Sequence, residues 1–176
     1  MIDISILETV AEISVALAGF AGIVATFQFR DGDTPSAGKI VALTIIVNMG
    51  LSAGMFAFLP LILFSFTSDE AIVWFVASYL LAIYMCYMMF FVQKNMHGNV
   101  RRNRVRFLFT TYQIIAGLLI VVLLLNGANV GVERGLGPYL LTLSYGLYMV
   151  GTNFMRLLLS PLWKRYRSSL TDNDTQ

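Results

Sequence analysis

Two acidic residues inside the first long apolar segment are the first candidates for chemistry. Glu8 and Glu12 stand four residues apart in LETVAEISVALAGFAGIVATF, so a helix places both carboxylates on one face, one turn apart. At the outer end of a membrane helix they could gather cations or protons. Alternatively, they begin the helix at the water interface and complement its N-terminal dipole. The sequence is compatible with both interpretations.

The same helical face continues with small residues. Ala16, Gly19 and Gly22 extend the stripe that begins at the two carboxylates. Small side chains let a neighbouring helix approach closely, so we expect this stripe to face protein rather than lipid. The second apolar segment has a matching face with Gly50 and Gly54. We therefore expect the first span to pack against the second through these two faces.

Two further polar residues stand within apolar segments. Asn48 could line an ion pathway deeper than the carboxylates, or it could hydrogen-bond to another helix as a structural residue. Three leucines follow Arg156, so its guanidinium is expected either to extend to the lipid headgroups, or to face a cavity or pair with an acidic group. In a cavity or an ion pair it would be a fourth residue of the candidate ion pathway, after Glu8, Glu12 and Asn48. Counted along the spans, Arg156 belongs to the leaflet opposite Glu12.

The remaining motifs do not form a reactive site. GLSAG, at 50–54, matches the G-x-S-x-G pattern of serine hydrolases, but that pattern needs a strand-to-helix turn that an apolar helix lacks. The single histidine, His97, lies in a basic connector, which argues against paired-histidine haem and histidine-rich metal sites. The single cysteine, Cys86, excludes an internal disulfide. We expect no enzyme, no catalytic residue, no metal site and no cofactor.

Composition shows what kind of element must hold these residues. Of the 176 residues, 57% are hydrophobic and 12% are charged, and the mean hydropathy is +0.73, whereas a soluble domain carries about 25% charged residues. Five segments are long enough to cross about 30 Å of hydrocarbon as helices. The sequence therefore predicts an all-α, polytopic integral membrane protein whose five transmembrane helices cover residues 4–29, 40–66, 71–92, 107–125 and 138–159.

Basic residues predict the orientation of these spans. Eleven of the twelve lysines and arginines fall on one side, and only Arg134 falls on the other, which places the N-terminus outside and the C-terminus in the cytoplasm. We expect one transmembrane domain over 1–167 and a flexible cytoplasmic tail over 168–176. No nucleic acid partner is expected, because the basic clusters serve orientation and attract anionic lipid. The residues expected to bind anionic lipid are Arg101, Arg102, Arg104, Arg106, Lys164, Arg165 and Arg167.

Three short stretches resemble known sequences. They are VAEISVALAGFAGIVATF in the first span, FAFLP at 56–60 in the second, and NFMRLLL at 153–159 in the last. Together they resemble a group of small uncharacterised bacterial multi-span membrane proteins with an LAGFAGIV-type first helix. The resemblance implies the cell inner membrane and no mechanism, because no activity is assigned to that group.

Two functions are consistent with these features. A homo-oligomeric ion channel, or ion or proton pathway, would place Glu8 and Glu12 at an acidic outer mouth on a symmetry axis, because five short helices enclose little space on their own. A non-conducting accessory or interaction subunit of a larger membrane complex would use the same small-residue faces to contact its partner. Besides the lipid bilayer, the expected partner is therefore a second copy or another subunit, and the ion pathway is the favoured interpretation.

Overall fold

The structure is a computed structural model that describes residues 4–29, 37–96, 103–131 and 134–173, and these residues form five helices. In chain order they are α1 (Ile4–Phe29), α2 (Ala37–Phe66), α3 (Glu70–Met96), α4 (Asn103–Ala128) and α5 (Leu136–Asn173). The predicted all-α fold is confirmed. Each helix contains one predicted span, and most extend a few residues further. The largest extension is in α5, which remains helical through Asn173 and so includes part of the expected tail.

Four of the helices described are long and apolar enough to cross a membrane. The apolar segments are Ser5–Val24, Ala42–Phe66, Glu70–Lys94 and Thr110–Ala128, in α1 to α4. The fifth helix has sufficient length, but tyrosine, threonine and asparagine side chains alternate with its leucines. The chain is therefore a small membrane protein with at least four helices suited to the bilayer interior.

The helices are arranged around α2. The most extensive contact in the bundle is between α1 and α2, and α2 also lies along α5. The helices α3 and α4 form a second close pair. This pair contacts the other helices less extensively, through α2–α3 and α4–α5. Among pairs of helices that are consecutive in the chain, α4 and α5 make the least extensive contact. The bundle therefore consists of two groups, α1–α2–α5 and α3–α4, with a seam between them.

A proline in α2 creates a specific contact with α5. Pro60 has no N–H, so the carbonyl of Phe56, four residues earlier, lacks its usual helical donor. The hydroxyl of Tyr139 donates to that carbonyl oxygen at 2.6 Å. The Tyr139 ring is fully buried and lies edge-on to Trp74, with ring centroids 5.8 Å apart. One side chain of α5 thus compensates for the break in α2 and also contacts α3.

The short connection between α2 and α3 is held by side chains that act as hydrogen-bond acceptors. Asp69 Oδ1 accepts the N–H of Ala71 at 2.8 Å, and Thr67 Oγ1 accepts the N–H of Asp69 at 3.1 Å. The first amide groups of a helix have no partner within the helix, so such acceptors stabilise its start. The connection therefore ends α2 and begins α3 within a few residues.

The end of α4 is held by a buried asparagine. Asn126 is fully buried, and its Nδ2 donates to Ser78 Oγ at 2.9 Å and to the Gly135 carbonyl at 3.2 Å. Its Oδ1 accepts the N–H of Gly135 at 3.0 Å. Since a buried amide without partners is costly, three hydrogen bonds to two different segments make this position specific. Asn126 therefore fixes the start of α5 relative to α3 and α4.

Arg134 completes the α4–α5 connection. Its Nη2 donates to the Gly127 carbonyl at 2.6 Å, and its Nη1 donates to the Ala71 carbonyl at 3.2 Å. A cation at the C-terminal end of a helix satisfies carbonyls that lack a helical donor and complements the helix dipole. Asn129, with φ of 57°, adopts the left-handed conformation in the turn. The one basic residue predicted to lie on the outer side is therefore part of the structural framework.

Candidate functional sites

The two carboxylates of α1 face away from the rest of the protomer. Glu8 and Glu12 are exposed, as are Ala16, Gly19 and Gly22 along the same face. A Cβ atom added at either glycine would meet no atom within 4 Å. The face predicted to pack against the second span is therefore the free face of α1 in the protomer.

The contact between α1 and α2 uses a different face of α1, which corrects the expected packing. A Cβ added at Gly50 would lie 3.3 Å from Ala18 Cβ and 3.4 Å from the Ser14 carbonyl oxygen. At Gly54 it would lie 3.6 Å from Ser14 Cβ and 3.8 Å from the Ala11 carbonyl oxygen. Gly50 and Gly54 thus lie at the expected contact, whereas the α1 side of it consists of Ala11, Ser14 and Ala18. Because the side chains of Ala11, Ser14 and Ala18 are short, they let α2 approach α1 closely, as the glycines of the free face were expected to do.

Asn48 lies at the contact between α2 and α3. The hydroxyl of Tyr84 donates to the Asn48 carbonyl at 3.3 Å, and Asn48 Oδ1 lies 3.4 Å from both the Tyr84 and the Ser52 hydroxyls. The side chain is half-buried among these partners. Its surroundings match those of a residue that links helices, which is the structural alternative from the sequence.

Arg156 lines the exposed side of a cavity in the seam between the two helix groups. The cavity has a volume of about 100 Å³ and is lined by residues of α2, α3, α4 and α5. The Arg156 side chain is exposed. Among the residues that the structure describes, no carboxylate forms an ion pair with its guanidinium. Its place in the lining fits the cavity alternative from the sequence, and its exposure fits extension to the headgroups equally.

Methionines form much of this cavity's wall, and we call it the methionine cavity. Five of the nine methionines in the chain line it. Tyr112, Tyr145 and Asn153 add polar groups, but several of these are already engaged. The Tyr145 hydroxyl donates to the Tyr112 carbonyl at 2.8 Å, and Asn153 Nδ2 donates to the Met149 carbonyl at 2.8 Å. The five methionines are Met49, Met85, Met88, Met89 and Met149.

The four residues assigned to an ion pathway lie in three separate places. Glu8 and Glu12 are on the free face of α1, Asn48 is at the α2–α3 contact, and Arg156 is at the methionine cavity. They do not converge on one route within the described part of the protomer. If ions follow the carboxylates, they therefore pass along the outside of α1, where another protein surface would have to complete the pathway.

The basic residues expected to bind anionic lipid lie beyond what the structure describes in detail. Arg101 and Arg102 lie outside the described residues. Backbone alone is described for the others, whose side chains fall outside the described part: Arg104, Arg106, Lys164, Arg165 and Arg167.

Sequence reasoning missed the polar contacts that are most specific in the structure. Asn126 ends an apolar run, LLLN, and this isolated amide was the available signal for its buried hydrogen bonds. The contact of Tyr139 with Phe56 could have been sought from Pro60, because a proline inside a helix predicts an unpaired carbonyl four residues earlier. No group of three or more metal-ligating side chains occurs among the described residues. Comparisons with protein-family models, with curated proteins and with solved structures gave no match for this chain.

Proposed function

We propose that the protein crosses the cell inner membrane five times and assembles with copies of itself through the free face of α1, forming an ion pathway along that face. The observation that supports this is the exposure of Glu8, Glu12 and the adjoining small residues on a face of α1 that does not contact α2. A second copy placed against this face would bring carboxylates of both copies together at an outer mouth.

The relation of α5 to α2 supports a fifth span. Tyr139 of α5 contacts Phe56 of α2, whereas Val150 is in one hydrophobic cluster with Ile45 and Ile46. The two helices are therefore antiparallel and share the same depth along their common length. Twenty residues separate Leu136 from Arg156, which corresponds to about 30 Å of helix, the thickness of the hydrocarbon.

The position of Glu12 supports an assembly. It lies seven residues beyond Ser5, where the apolar segment of α1 begins, or about 10 Å along the helix. A charged side chain at the bilayer centre costs about 3 kcal/mol on insertion scales, and less towards the interface. A hydrated path between copies would remove most of that cost. Ala16, Gly19 and Gly22 would allow the helices to approach below the carboxylates.

The accessory-subunit function also has support. The exposed side of α1 carries large apolar side chains as well as the stripe, including Ile13, Phe20 and Ile23. A partner of another sequence could cover this surface without forming a conducting path, and the carboxylates would then be interfacial. Both functions require a protein surface on α1, and they differ in the identity of that surface and in conduction.

The first measurement is the native mass of the untagged protein after gentle extraction from its own membranes. A single homo-oligomeric mass is expected. Proton and monovalent-cation flux is then measured in proteoliposomes for the wild type, Glu12→Gln and the matched control Glu70→Gln. Glu70 is an exposed carboxylate in the first turn of α3, at the same predicted end of the bundle.

We expect Glu12→Gln to reduce flux and to change its pH dependence, because the titratable group is lost, while Glu70→Gln behaves like the wild type. A monomeric mass, the absence of flux, or equal flux in both variants would rule out the ion pathway. Extraction with other subunits at fixed stoichiometry would instead favour the accessory function.

A further inference from the structure

The methionine cavity is lined by flexible apolar side chains, and neither of the two functions proposed for α1 involves it. Five methionines provide unbranched, flexible and apolar side chains, and such side chains adapt their shape to different apolar ligands. Soluble and membrane proteins alike use a mostly apolar pocket with a few polar groups to bind small molecules. The wall of this cavity is therefore suited to an apolar chain of variable shape.

The lining residues of the cavity on α5 extend over about the thickness of one leaflet. Its lining on α5 runs from Tyr145 to Arg156, eleven residues or about 16 Å of helix. This is close to half of the roughly 30 Å hydrocarbon thickness. The volume of about 100 Å³ is smaller than the cavity of about 150 Å³ that binds benzene in an engineered protein. It therefore accommodates part of a single chain rather than a whole two-chain lipid.

The charge on the exposed side of the cavity specifies the other end of the ligand. Arg156 is an exposed lining residue, and no carboxylate of the described residues is paired with it. Its planar guanidinium binds carboxylate and phosphate groups with two parallel hydrogen bonds. Gln113 and Asn153 also line the cavity. An anionic group seated here would lie at the end of the apolar space, where a chain attached to it could enter.

We propose that the methionine cavity binds an anionic amphiphile, whose charged group lies on Arg156 and whose apolar chain enters among the methionines. Residues of α4 and α5 both line this cavity, and the contact between these two helices is less extensive than that between any other consecutive pair. The apolar chain therefore enters from the lipid between α4 and α5. The site is independent of the α1 assembly. If the chain spans the membrane five times, as proposed, the site faces the cytoplasmic leaflet, and only this assignment rests on the proposed function.

The test is a titration of the full-length protein in a neutral detergent, followed by native mass spectrometry. Sodium dodecanoate is compared with dodecanol, which has the same chain and no charge. Phosphatidylglycerol is compared with phosphatidylcholine in a second arm. We expect saturable binding of one dodecanoate per chain, at least about tenfold tighter than dodecanol, because only the carboxylate forms charge-assisted hydrogen bonds with Arg156.

Two variants with matched controls locate the binding. Arg156→Gln is expected to weaken dodecanoate binding about tenfold and leave dodecanol binding unchanged. Its control, Lys94→Gln, removes an exposed cation of α3 outside the cavity lining and should change neither. Ala116→Phe fills the cavity and should weaken both ligands. Its control is Leu118→Phe, at an exposed position of the same helix.

Each outcome bears on the proposal. Binding of phosphatidylglycerol that depends on Arg156, without dodecanoate binding, identifies a phospholipid as the source of the anionic headgroup and supports the site. If neither anionic ligand binds more tightly than its uncharged or zwitterionic counterpart, or if Arg156→Gln matches Lys94→Gln, the proposal is overturned. Because Arg156 is exposed, its variant tests the site even if Ala116→Phe does not fold.

Discussion

At the scale of single residues, the hydroxyl of Tyr139 offers a direct energetic test of the fold. It donates to the Phe56 carbonyl that Pro60 leaves without a helical donor. Tyr139→Phe should therefore lower the free energy of unfolding by about 1 kcal/mol, the usual net contribution of one such bond. The measurement is unfolding in mixed micelles with increasing SDS, followed by far-UV circular dichroism.

The same bond can be isolated with a double-mutant cycle. Pro60→Ala restores an N–H that can donate to the Phe56 carbonyl, so in that background the hydroxyl of Tyr139 has less to stabilise. We expect Tyr139→Phe to cost about 1 kcal/mol less there than in the wild type. Equal costs in the two backgrounds would contradict the assignment. Tyr87→Phe, at an exposed tyrosine of α3, controls for general effects of the substitution.

Asn126 shows why residue-scale contacts were difficult to predict. The sequence places an amide at the end of an apolar run, and this pattern is typical of a helix end as well as of a buried polar contact. What distinguishes Asn126 is that Ser78 and Gly135 reach it from other parts of the chain. Those distances depend on how α3 and α5 pack, which no local pattern specifies. Glu8 and Glu12, in contrast, could be placed on one face from their spacing alone.

At the scale of elements, the positions of the helices were predictable and their packing faces were not. An apolar run of about 20 residues indicates a span because the bilayer has a fixed thickness. Faces are harder to predict, because lipid tails and the interior of a membrane protein are similarly apolar, so hydrophobicity does not distinguish them. Small residues occur on both sides of α1, so the sequence favours the stripe with Gly19 and Gly22, whereas Ser14 and Ala18 make the contact in the structure.

Replacing glycine by leucine should have opposite effects at the α1–α2 contact and on the free face of α1. Gly50→Leu introduces a side chain where even a Cβ would lie 3.3 Å from Ala18. We expect it to lower the free energy of unfolding by about 2 kcal/mol, because overpacking separates α1 from α2. Gly19→Leu has open space around it, so the stability of the protomer should not fall. Unfolding in mixed micelles measures both effects.

The same pair of variants separates the protomer from the assembly. If copies associate through the free face of α1, Gly19→Leu should reduce the homo-oligomeric fraction in native mass measurements while the protomer remains folded. Gly117→Leu provides the control, because it also has no atom within 4 Å of an added Cβ but lies on α4. If Gly19→Leu destabilised the protomer and Gly50→Leu did not, α1 would contact α2 through the stripe with Gly19, and the packing described here would be refuted.

At the scale of the whole molecule, the two candidate sites lie towards opposite ends of the bundle. Glu8 and Glu12 belong to the first half of α1, whereas the methionine cavity is bordered by Ile45 near the beginning of α2 and by Val92 near the end of α3. If the N-terminus is outside, as proposed, the carboxylates occupy the outer half of the membrane and the cavity occupies the inner half. An ion pathway along α1 and a bound amphiphile can therefore coexist without sharing a residue.

That arrangement depends on the number of spans, which single cysteines can measure. In a Cys86→Ala background, which removes the only native thiol, Ser68→Cys lies in the α2–α3 connection and Ser168→Cys lies near the end of α5. Five spans with the N-terminus outside predict that a membrane-impermeant maleimide labels Ser68→Cys in intact cells. Ser168→Cys should be labelled only after permeabilisation. Because α5 lies antiparallel along α2 over the depth of the bundle, we expect this result. Labelling of both positions from outside would mean that α5 returns without crossing, and Arg156 would then lie in the outer leaflet.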